Sequence, residues 1–273
     1  MKRCKLPFVK KFFVIQCLKK FKGAFFMRER LTQILDILAE KKRVTVLELE
    51  ELLKVSGVTV RKDLSVLEEK GLLKREHGFA TLPESDDVST RLLFNYETKR
   101  RIAQKALESI KDGETLMIES GSSCALLAEE IVNNRRGVTI ITNSVFIATF
   151  LRDKVGARII LLGGEFQTEA QVMVGPLVKK CAENFYVEKL FVGTDGFNES
   201  GAMAGDMMRA EAVRSMAESA RRLIILTESK KFSQVGVVPL LPYKKISAIY
   251  TDEKISDAAR KILEERGVQL FLP

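Results

Sequence analysis

The chain has 273 residues, of which 46% are apolar and 30% charged, and its formal net charge is +9 at pH 7. This length and balance suit a globular protein with two domains, and no apolar stretch is long enough to span a bilayer. The four cysteines, Cys4, Cys17, Cys124 and Cys181, form no close pair, so we expect neither a zinc site nor a disulfide framework. We also expect no other metal and no cofactor.

Residues 1–26 form a basic leader that we expect to lie outside the fold. They hold eight Lys or Arg and no acid, so the rest of the chain carries a net charge of only +1. Gln16 interrupts their longest apolar run and no small-residue cleavage pattern follows, which argues against a secretory signal. Helix signals begin directly after Met27, so we expect Met27 to be the natural start. A basic arm for a membrane or a nucleic acid is the alternative.

Two helices are predicted at the start of residues 27–82. The first spans residues 28–40, where an apolar stripe consists of Leu31, Ile34, Leu35 and Leu38. The second is placed by its cap, because the Thr45 side chain can accept from the first turn while Glu48 reaches back to form a capping box. We expect this helix to end near Lys54, before a turn at residues 55–57.

A third helix is predicted to pack with one face and to present the other. Its apolar face on a helical wheel consists of Val60, Leu64 and Leu67. The opposite face consists of Val58, Arg61, Lys62 and Ser65. Lys and Arg can bond guanine edges or phosphates, Ser and Thr can bond either, and valine or threonine methyls can contact a thymine methyl. The pattern favours a recognition helix in a DNA groove; a solvated amphipathic helix is the alternative.

A short hairpin is predicted next, with strands at 72–76 and 79–82 and a turn at His77 and Gly78. It favours a winged helix-turn-helix, in which His77 is interpreted as a turn residue that bonds backbone or phosphate. Basic clusters at 41–43, 61–62 and 74–75 can straddle phosphates. The residues expected to contact double-stranded operator DNA are Thr45, Ser56, Val58, Thr59, Arg61, Lys62, Ser65 and His77.

The run VSGVTVRKDLSVLEEKGLLKREHG resembles the N-terminal pattern of the DeoR family of bacterial transcription regulators. That pattern is a V-S-x-x-T-[IV]-R-[RK]-D-L core followed by G-x-[LIV] and a histidine-glycine wing. The residues that match it are Val55, Ser56, Thr59, Val60, Arg61, Lys62, Asp63, Leu64, His77 and Gly78. Phe79 departs from it, because the family often has a second glycine there.

The second half of the chain is predicted to be an α/β domain. Residues 83–94 are expected to form a linker, because residues 82–87 hold a proline and acids, and the second domain is placed at 95–273. It begins with a polar helix at 97–110. Short apolar runs follow, which indicates parallel strands buried on both faces. The strand candidates are 115–118, 138–141, 158–162, 190–192, 223–226 and 246–250.

Small, hydroxyl-bearing and charged residues follow these strands, at the edge where ligands collect in such sheets. Backbone amides, helix dipoles and Lys230 would favour an anion, and Asp195 and Asn143 would bind sugar hydroxyls. Glycine and serine that end strands for steric reasons are the alternative. The expected effector-binding residues are Glu119, Ser120, Gly121, Ser122, Ser123, Thr142, Asn143, Ser144, Gly163, Gly164, Gly193, Thr194, Asp195, Gly196 and Lys230.

The motifs ESGSS, ITNS, LLGGEF, KLFVGTDGF and TESKKF resemble, in that order, the C-terminal sensor domain of DeoR regulators. The predicted fold class is therefore α/β: a winged helix-turn-helix domain, then a Rossmann-like α/β domain similar to ribose-5-phosphate isomerase. The resemblance implies a cytoplasmic repressor of a sugar or sugar-alcohol operon, modulated by a phosphorylated sugar or polyol. Glu119 and Glu228 stand where many relatives have aspartate, so the effector is not carried over.

The expected protein is a homo-oligomer, because one short recognition helix rarely supplies enough specificity, and it has no membrane partner. An isomerase-like enzyme is one alternative, with Glu119, Asp195 and Lys230 available for chemistry. The fused DNA-binding domain favours sensing, so no catalytic residue is assigned. A DNA-binding architectural protein insensitive to phosphates is the other alternative. Cys124 is interpreted as a buried apolar residue, and residues 199–212 as a ligand-selecting segment or subunit contact, or simply core.

Overall fold

A computed structural model of the protein describes residues 29–41, 43–69, 72–76, 78–82 and 88–273. The basic leader 1–26, Met27, His77 and residues 83–87 of the predicted linker lie outside the described residues. The chain forms two compact units. The N-terminal unit runs to Ser85 and includes Leu93–Asn95, and the C-terminal unit consists of Asp86–Leu92 and Tyr96–Pro273.

The N-terminal unit contains three helices and a three-stranded antiparallel sheet with the order β1-β3-β2. Its elements are α1 (Glu29–Lys41), β1 (Arg43–Thr45), α2 (Val46–Leu53), α3 (Gly57–Glu69), β2 (Lys74–Glu76) and β3 (Phe79–Thr81). The three predicted helices and the hairpin are confirmed. Strand β1 was not predicted, because three residues are too short to show a periodic pattern.

The predicted apolar stripes build the core of this unit. Every stripe residue on α1 and α3 is buried; these are Leu31, Ile34, Leu35, Leu38, Val60, Leu64 and Leu67. An ion pair that the sequence pattern did not predict joins the same two helices. Arg30 Nε on α1 lies 2.5 Å from Oδ2 of the buried Asp63 on α3. The packed face of α3 is therefore fixed both by apolar contacts and by a charged hydrogen bond.

The capping box predicted for α2 is confirmed. Thr45 Oγ1 accepts from the Glu48 backbone N–H at 3.1 Å. In return, Glu48 Oε2 accepts from the Thr45 backbone N–H at 2.8 Å and from its hydroxyl at 2.9 Å. These hydrogen bonds lower the pKa of Glu48 because they favour its charged form. Lys54 ends the helix in the left-handed conformation, with φ of 53°.

Replacement of Thr45 by alanine is expected to destabilise the N-terminal unit by about 1 kcal/mol, because the first turn of α2 loses its side-chain acceptor. Chemical denaturation followed through this unit would measure the change. The matched control is Thr45→Ser, which keeps the hydroxyl. An equal loss of stability in both variants would attribute the effect to the methyl group and contradict the capping role.

The C-terminal unit is built on a seven-stranded parallel sheet with the order β15-β14-β12-β9-β4-β5-β6. Its helices are α4 (Val88–Leu93), α5 (Tyr96–Leu107), α6 (Ser122–Asn134), α7 (Val145–Leu151), α8 (Pro176–Ala182), α9 (Met207–Ala217) and α10 (Asp257–Glu265). The strands of this sheet are β4 (Thr115–Ile118), β5 (Val138–Thr142), β6 (Ala157–Leu161), β9 (Val187–Val192), β12 (Ala220–Leu226), β14 (Ile246–Tyr250) and β15 (Gln269–Phe271). Shorter strands pair outside it; they are β7 (Glu165–Gln167), β8 (Val172–Val174), β10 (Gly196–Asn198), β11 (Gly201–Ala204) and β13 (Val238–Pro242).

All six predicted strands are confirmed, and β4 and β14 have the predicted bounds. The predicted combination of a winged helix-turn-helix unit with a parallel α/β unit is confirmed as well. The predicted linker 83–94 differs from the structure, because its second half forms α4, which buries Val88 and Leu92. Within the described ranges, no helix has both the length and the apolar character needed to cross a membrane.

The order of the strands reverses at the centre of this sheet. From β4 the chain adds β5 and β6 on one side, and it then returns to place β9, β12, β14 and β15 on the other. The carboxyl ends of β4 and β9 are consequently neighbours, and Glu119 N–H continues their ladder by donating to Phe191 O at 2.9 Å. A crevice opens at such a reversal, so the candidate site is sought there.

Candidate functional site

Helix α3 presents three predicted residues to solvent. The Val58 side chain is 76% exposed, and Arg61 and Lys62 are also exposed. Neither cation has an ion-pair partner among the residues that the structure describes. Two positive groups and a methyl surface on one helix face suit a DNA groove, where they can reach phosphates and base edges.

The hydroxyl groups predicted to contact DNA have partners within the protein. Ser56 Oγ lies 3.1 Å from Thr59 Oγ1 and accepts from the Thr59 N–H at the start of α3. Ser65 donates to Arg61 O at 2.9 Å and accepts from Arg75 Nη1 at 3.1 Å. Thr45 is engaged in the capping box. The structure thus gives these side chains local structural roles, although Ser56 is exposed, whereas Val58, Arg61 and Lys62 are the exposed predicted residues within α3.

The strand pairing at the wing accounts for the departure at Phe79. Thr45 of β1 pairs with Phe79 of β3, and the Arg43 guanidinium carbon lies 3.8 Å from the centre of the Phe79 ring. An arginine at this distance from an aromatic face is attracted by the ring quadrupole. Arg75 ties β2 to α3, since its backbone N–H donates to Glu68 Oε1 at 3.2 Å. The wing is held against α3 without a second glycine.

In the C-terminal unit, five of the predicted effector residues meet at the β4–β9 reversal: Glu119, Ser120, Gly121, Gly193 and Asp195. Glu119 Oε2 accepts from the Gly193 N–H at 3.1 Å, and Ser120 Oγ donates to Glu119 Oε1 at 2.9 Å. Burial raises the pKa of the Glu119 carboxyl, while the Gly193 and Ser120 hydrogen bonds oppose that rise. A Cβ added to Gly121 would lie 3.4 Å from Gly193 Cα, so the two backbones approach closely.

Alternating charges extend from this crevice toward the end of β12. Asp195 Oδ2 accepts from the Gly205 N–H at 2.8 Å, and Asp195 Oδ1 lies 3.9 Å from Arg91 Nη1. Glu228 lies between two lysines, with 3.1 Å to Lys230 Nζ and 3.7 Å to Lys99 Nζ. Helix α6 begins at Ser122 behind Gly121, which has no side chain to cap the first turn. Cations and uncapped amides together suit an anionic ligand.

The ends of β5 and β6 serve the fold. Thr142 Oγ1 accepts from the Ser144 N–H, and Ser144 Oγ caps α7 by accepting from the Ile147 N–H. Asn143 Nδ2 donates to Met173 O at 3.1 Å, whereas its buried Oδ1 has no partner among the described residues. A Cβ on Gly164 would lie 2.6 Å from Val174 O, which is a steric reason for that glycine. Gly163 lies beside it at the edge strand β6.

In the loop after β9, some of the predicted residues are needed by the fold and others are open to a ligand. Thr194 Oγ1 bonds the backbone of its own turn, with 2.7 Å to Gly196 O and 2.8 Å to Met203 O. A Cβ on Gly196 would lie 2.2 Å from Gln234 O, so this glycine is required by packing. At Gly193 the nearest atom to an added Cβ is 3.5 Å away. Steric necessity therefore explains Gly164 and Gly196 but leaves Gly121 and Gly193 open to a ligand.

Two family descriptions match the chain. The "DeoR-like helix-turn-helix domain" matches residues 30–86, and the "DeoR C terminal sensor domain" matches residues 94–253. The chain belongs to the DeoR family of transcriptional regulators.

Curated proteins align with most of the length of this DeoR regulator. The HTH-type transcriptional regulator GolR of Listeria innocua is 31% identical over 89% of this chain and 97% of its own length. The glycerol-3-phosphate regulon repressor of Escherichia coli is 29% identical over 89% of this chain and 98% of its own. Among solved structures, a ribose 5-phosphate isomerase A from Methanocaldococcus jannaschii is 16% identical and covers 50% of this chain and 55% of that chain, with a TM-score of 0.37.

Sequence reasoning missed Arg91 and Lys99, which lie at the candidate site of this DeoR regulator. Arg91 lies on α4, within the predicted linker, and carries no pattern that could have identified it. A signal did exist for Lys99, since it shares the buried stripe of α5 with Ile102, Ala103 and Ala106. A lysine on an apolar helical stripe must be paired or neutral, which makes it a candidate site residue.

The buried Lys99 predicts a pH-dependent stability. Burial lowers its pKa from 10.5 to about 8, and the Glu228 carboxylate opposes that shift. Between these values the unfolded chain binds the proton and the folded chain does not, so the free energy of unfolding rises with pH in that window. We expect a rise of at most about 3 kcal/mol.

Urea denaturation from neutral to alkaline pH would measure this rise. It should be smaller in Lys99→Met than in the wild type, with a remainder from Lys231, whose pKa is also lowered by burial. It should be unchanged in Lys105→Met, which alters a partly exposed lysine on the same helix. A Lys99→Met protein with the same pH dependence as the wild type would assign the rise to other groups.

A cleft of about 680 Å³ lies beside α10, and none of the five predicted residues at the β4–β9 reversal lines it. Its floor includes stacked rings, with 4.3 Å between the ring centres of Phe197 and Phe232. Lys230 is the one predicted effector residue that lines it. The cleft thus differs in position from the predicted site, and we place the candidate site at the reversal because the anion-binding features converge there.

Two remaining interpretations concern single side chains. Cys124 is fully buried, as predicted, and burial raises the pKa of its thiol well above the usual value. In the segment 199–212, Met203 is buried, Met207 is 66% exposed, and Arg209 lies 3.7 Å from Asp206. A ligand-selecting or subunit role for that segment stays a prediction.

Proposed function

We propose that this DeoR regulator is a homo-oligomeric repressor of a sugar-related operon in the bacterial cytoplasm, whose operator binding is modulated by a small phosphorylated sugar or polyol. One observation carries the proposal. The chain combines an exposed cationic face on α3 with a separate strand-end crevice in which close-approach glycines lie among charged groups. The relative from Escherichia coli is a repressor of the glycerol-3-phosphate regulon, so a similar protein regulates genes connected with a phosphorylated polyol.

Each part of the crevice suits one part of such a ligand. Backbone amides near Gly121 and the positive end of α6 favour a phosphate group. Lys230, whose side chain is 44% exposed beside Glu228, adds a full positive charge that can reach solvent. Asp195 offers carboxylate oxygens to sugar hydroxyls. Pairing of two DNA-binding units on repeated half-sites would supply the specificity that one short helix lacks.

The test is a binding screen on the full chain. Thermal shift would be recorded with ribose 5-phosphate, glycerol 3-phosphate, hexose phosphates and inorganic phosphate. A duplex selected from a random library by the purified protein would serve as operator in fluorescence anisotropy. The expected result is at least one sugar or polyol phosphate that both stabilises the protein and changes its affinity for the duplex. No response to any member of the panel would contradict the proposal, and turnover of ribose 5-phosphate would support the isomerase alternative.

Replacement of Lys230 by alanine is expected to weaken the active phosphate probe roughly tenfold, the scale of a hydrogen bond to a charged group, and to leave duplex binding unchanged. Isothermal titration of the variant and of the wild type with the probe would measure the change in affinity. Lys261→Ala, which removes an exposed lysine from α10, is the matched control. An unchanged affinity in Lys230→Ala would remove that residue from the site.

A further inference from the structure

The chain passes from one unit to the other and back within a short segment. Residues 86–92 belong to the C-terminal unit, Leu93–Asn95 belong to the N-terminal unit, and the C-terminal unit resumes at Tyr96. Both crossings are therefore covalently close to Arg91 on one side and Lys99 on the other. Only a few covalent bonds separate either residue from the segment Leu93–Asn95.

The segment Leu93–Asn95 is seated firmly in the N-terminal unit. Phe94 packs against the apolar core that contains the α1 and α3 stripes. The Asn95 backbone N–H donates to Asp36 Oδ1 on α1 at 2.6 Å. Asn95 has φ of 50°, in the left-handed region that asparagine tolerates better than most residues. The segment is therefore held to α1, the helix that packs on α3, by apolar contacts of Phe94 and by the hydrogen bond to Asp36.

The neighbours of this segment are attached to the strand-end site. Lys99 Nζ donates to Arg91 O at 2.5 Å and lies 3.7 Å from Glu228, and the Lys99 residue is only 4% exposed. The Arg91 side chain is 29% exposed and its ion pair with Asp195, itself 36% exposed, is long at 3.9 Å. Such a long and partly solvated pair is weak. A guanidinium binds a phosphate more strongly, with two parallel hydrogen bonds.

We infer that Arg91 is a ligand-contacting residue that exchanges Asp195 for the anionic group of the effector, and that Leu93–Asn95 transmit this exchange to the DNA-binding unit. The inference rests on the proposed function and deepens it. An effector changes DNA binding only if it makes different contacts in the two states of the regulator. The exchange of Asp195 for the effector at Arg91 supplies this difference in contacts. The segment Leu93–Asn95 then transmits the change to the DNA-binding unit.

The first test concerns the ligand contact. Wild type, Arg91→Gln and Arg91→Lys would be titrated with the phosphate probe that stabilises the wild type, drawn from ribose 5-phosphate, glycerol 3-phosphate, hexose phosphates and inorganic phosphate. We expect Arg91→Gln to weaken the probe roughly tenfold or more, and Arg91→Lys to recover part of the affinity because it keeps the charge but not the two-pronged geometry.

The second test concerns transmission. In Phe94→Ala and Asp36→Ala, the probe should bind with wild-type affinity, while the ratio of duplex Kd with and without probe should fall toward one. Ile37→Ala is the matched control, because it trims the same core without releasing the segment 93–95. The control should retain the wild-type ratio. A ratio that falls equally in all three variants would mean that the loss reflects general loosening of the unit, and it would overturn the inference.

The outcomes separate the inference from the function on which it rests. If no phosphate probe binds the wild type, the proposed function fails and the inference fails with it. If a probe binds the wild type and alters duplex affinity, but Arg91→Gln behaves like the wild type, only the inference fails. Both the proposed function and the inference stand if two results are obtained. Arg91→Gln must lose affinity for the probe, and Phe94→Ala must keep that affinity but lose the effect of the probe on duplex binding.

Discussion

Arg61→Ala is expected to weaken operator binding roughly 5- to 150-fold, the range for loss of a good two-pronged contact to a base. The side chain is exposed on α3, and the residues on the opposite face of that helix are buried. Its removal should therefore leave the thermal stability and the affinity for phosphate probes unchanged. Fluorescence anisotropy with the selected duplex, at one fixed salt concentration, would measure the loss.

Companion variants separate base reading from charge. Lys62→Ala should weaken all duplexes alike and reduce the salt dependence of binding by about one released counterion, as expected for a phosphate contact. Arg221→Ala, which removes an exposed arginine from β12, should leave duplex binding unchanged. If Arg61→Ala binds the selected duplex as tightly as the wild type, α3 is not the recognition helix.

Gly193→Ala is expected to weaken binding of the phosphate probe without unfolding the C-terminal unit. The added methyl would lie 3.5 Å from Gly121 Cα and from a Glu119 oxygen, which is ordinary contact distance. The fold should tolerate it, whereas a ligand that approaches these backbones would meet it. We expect the probe to weaken roughly 5- to 150-fold, the cost range of overpacking a tight contact.

Gly196→Ala provides the contrast, because its methyl would lie 2.2 Å from the Gln234 carbonyl oxygen. It should lower the stability of the unit by about 3 kcal/mol, since the collision is with backbone. Thermal denaturation and probe titration of the two variants would distinguish blocking of a site from damage to the fold. A Gly193→Ala protein that still binds the probe normally would place the ligand elsewhere, with the cleft beside α10 as the next candidate.

The elements that the sequence predicts well are those with a repeated physical pattern. Helical spacing of leucines places α1 and α3, the Thr45–Glu48 pair places the start of α2, and apolar runs place the buried strands. Elements of three residues, such as β1 and β15, are too short for a pattern. They form because a neighbouring strand offers backbone groups for hydrogen bonding. The position of that strand is known only once the sheet is assembled.

The sequence predicts the kinds of residues at the candidate site, but not which of them lie together in the fold. Strand ends are readable, yet which ends are neighbours depends on the order of strands in space, and that order brings β4 beside β9. Gly196 and Gly193 belong to the same motif, and only their tertiary surroundings separate a steric glycine from one that a ligand could approach. Arg91 lies outside every motif, because its position depends on a short helix in the predicted linker.

The strand order also has a consequence during synthesis on the ribosome. Helix α3 and the wing are complete by Thr81, whereas the crevice requires β9, whose last residue is Val192. Domains generally fold as units as the chain emerges, N-terminal first. A growing polypeptide therefore completes its N-terminal unit well before the crevice can form. Under the proposed function, a product truncated before β9 would keep the winged helix-turn-helix but lack the effector site.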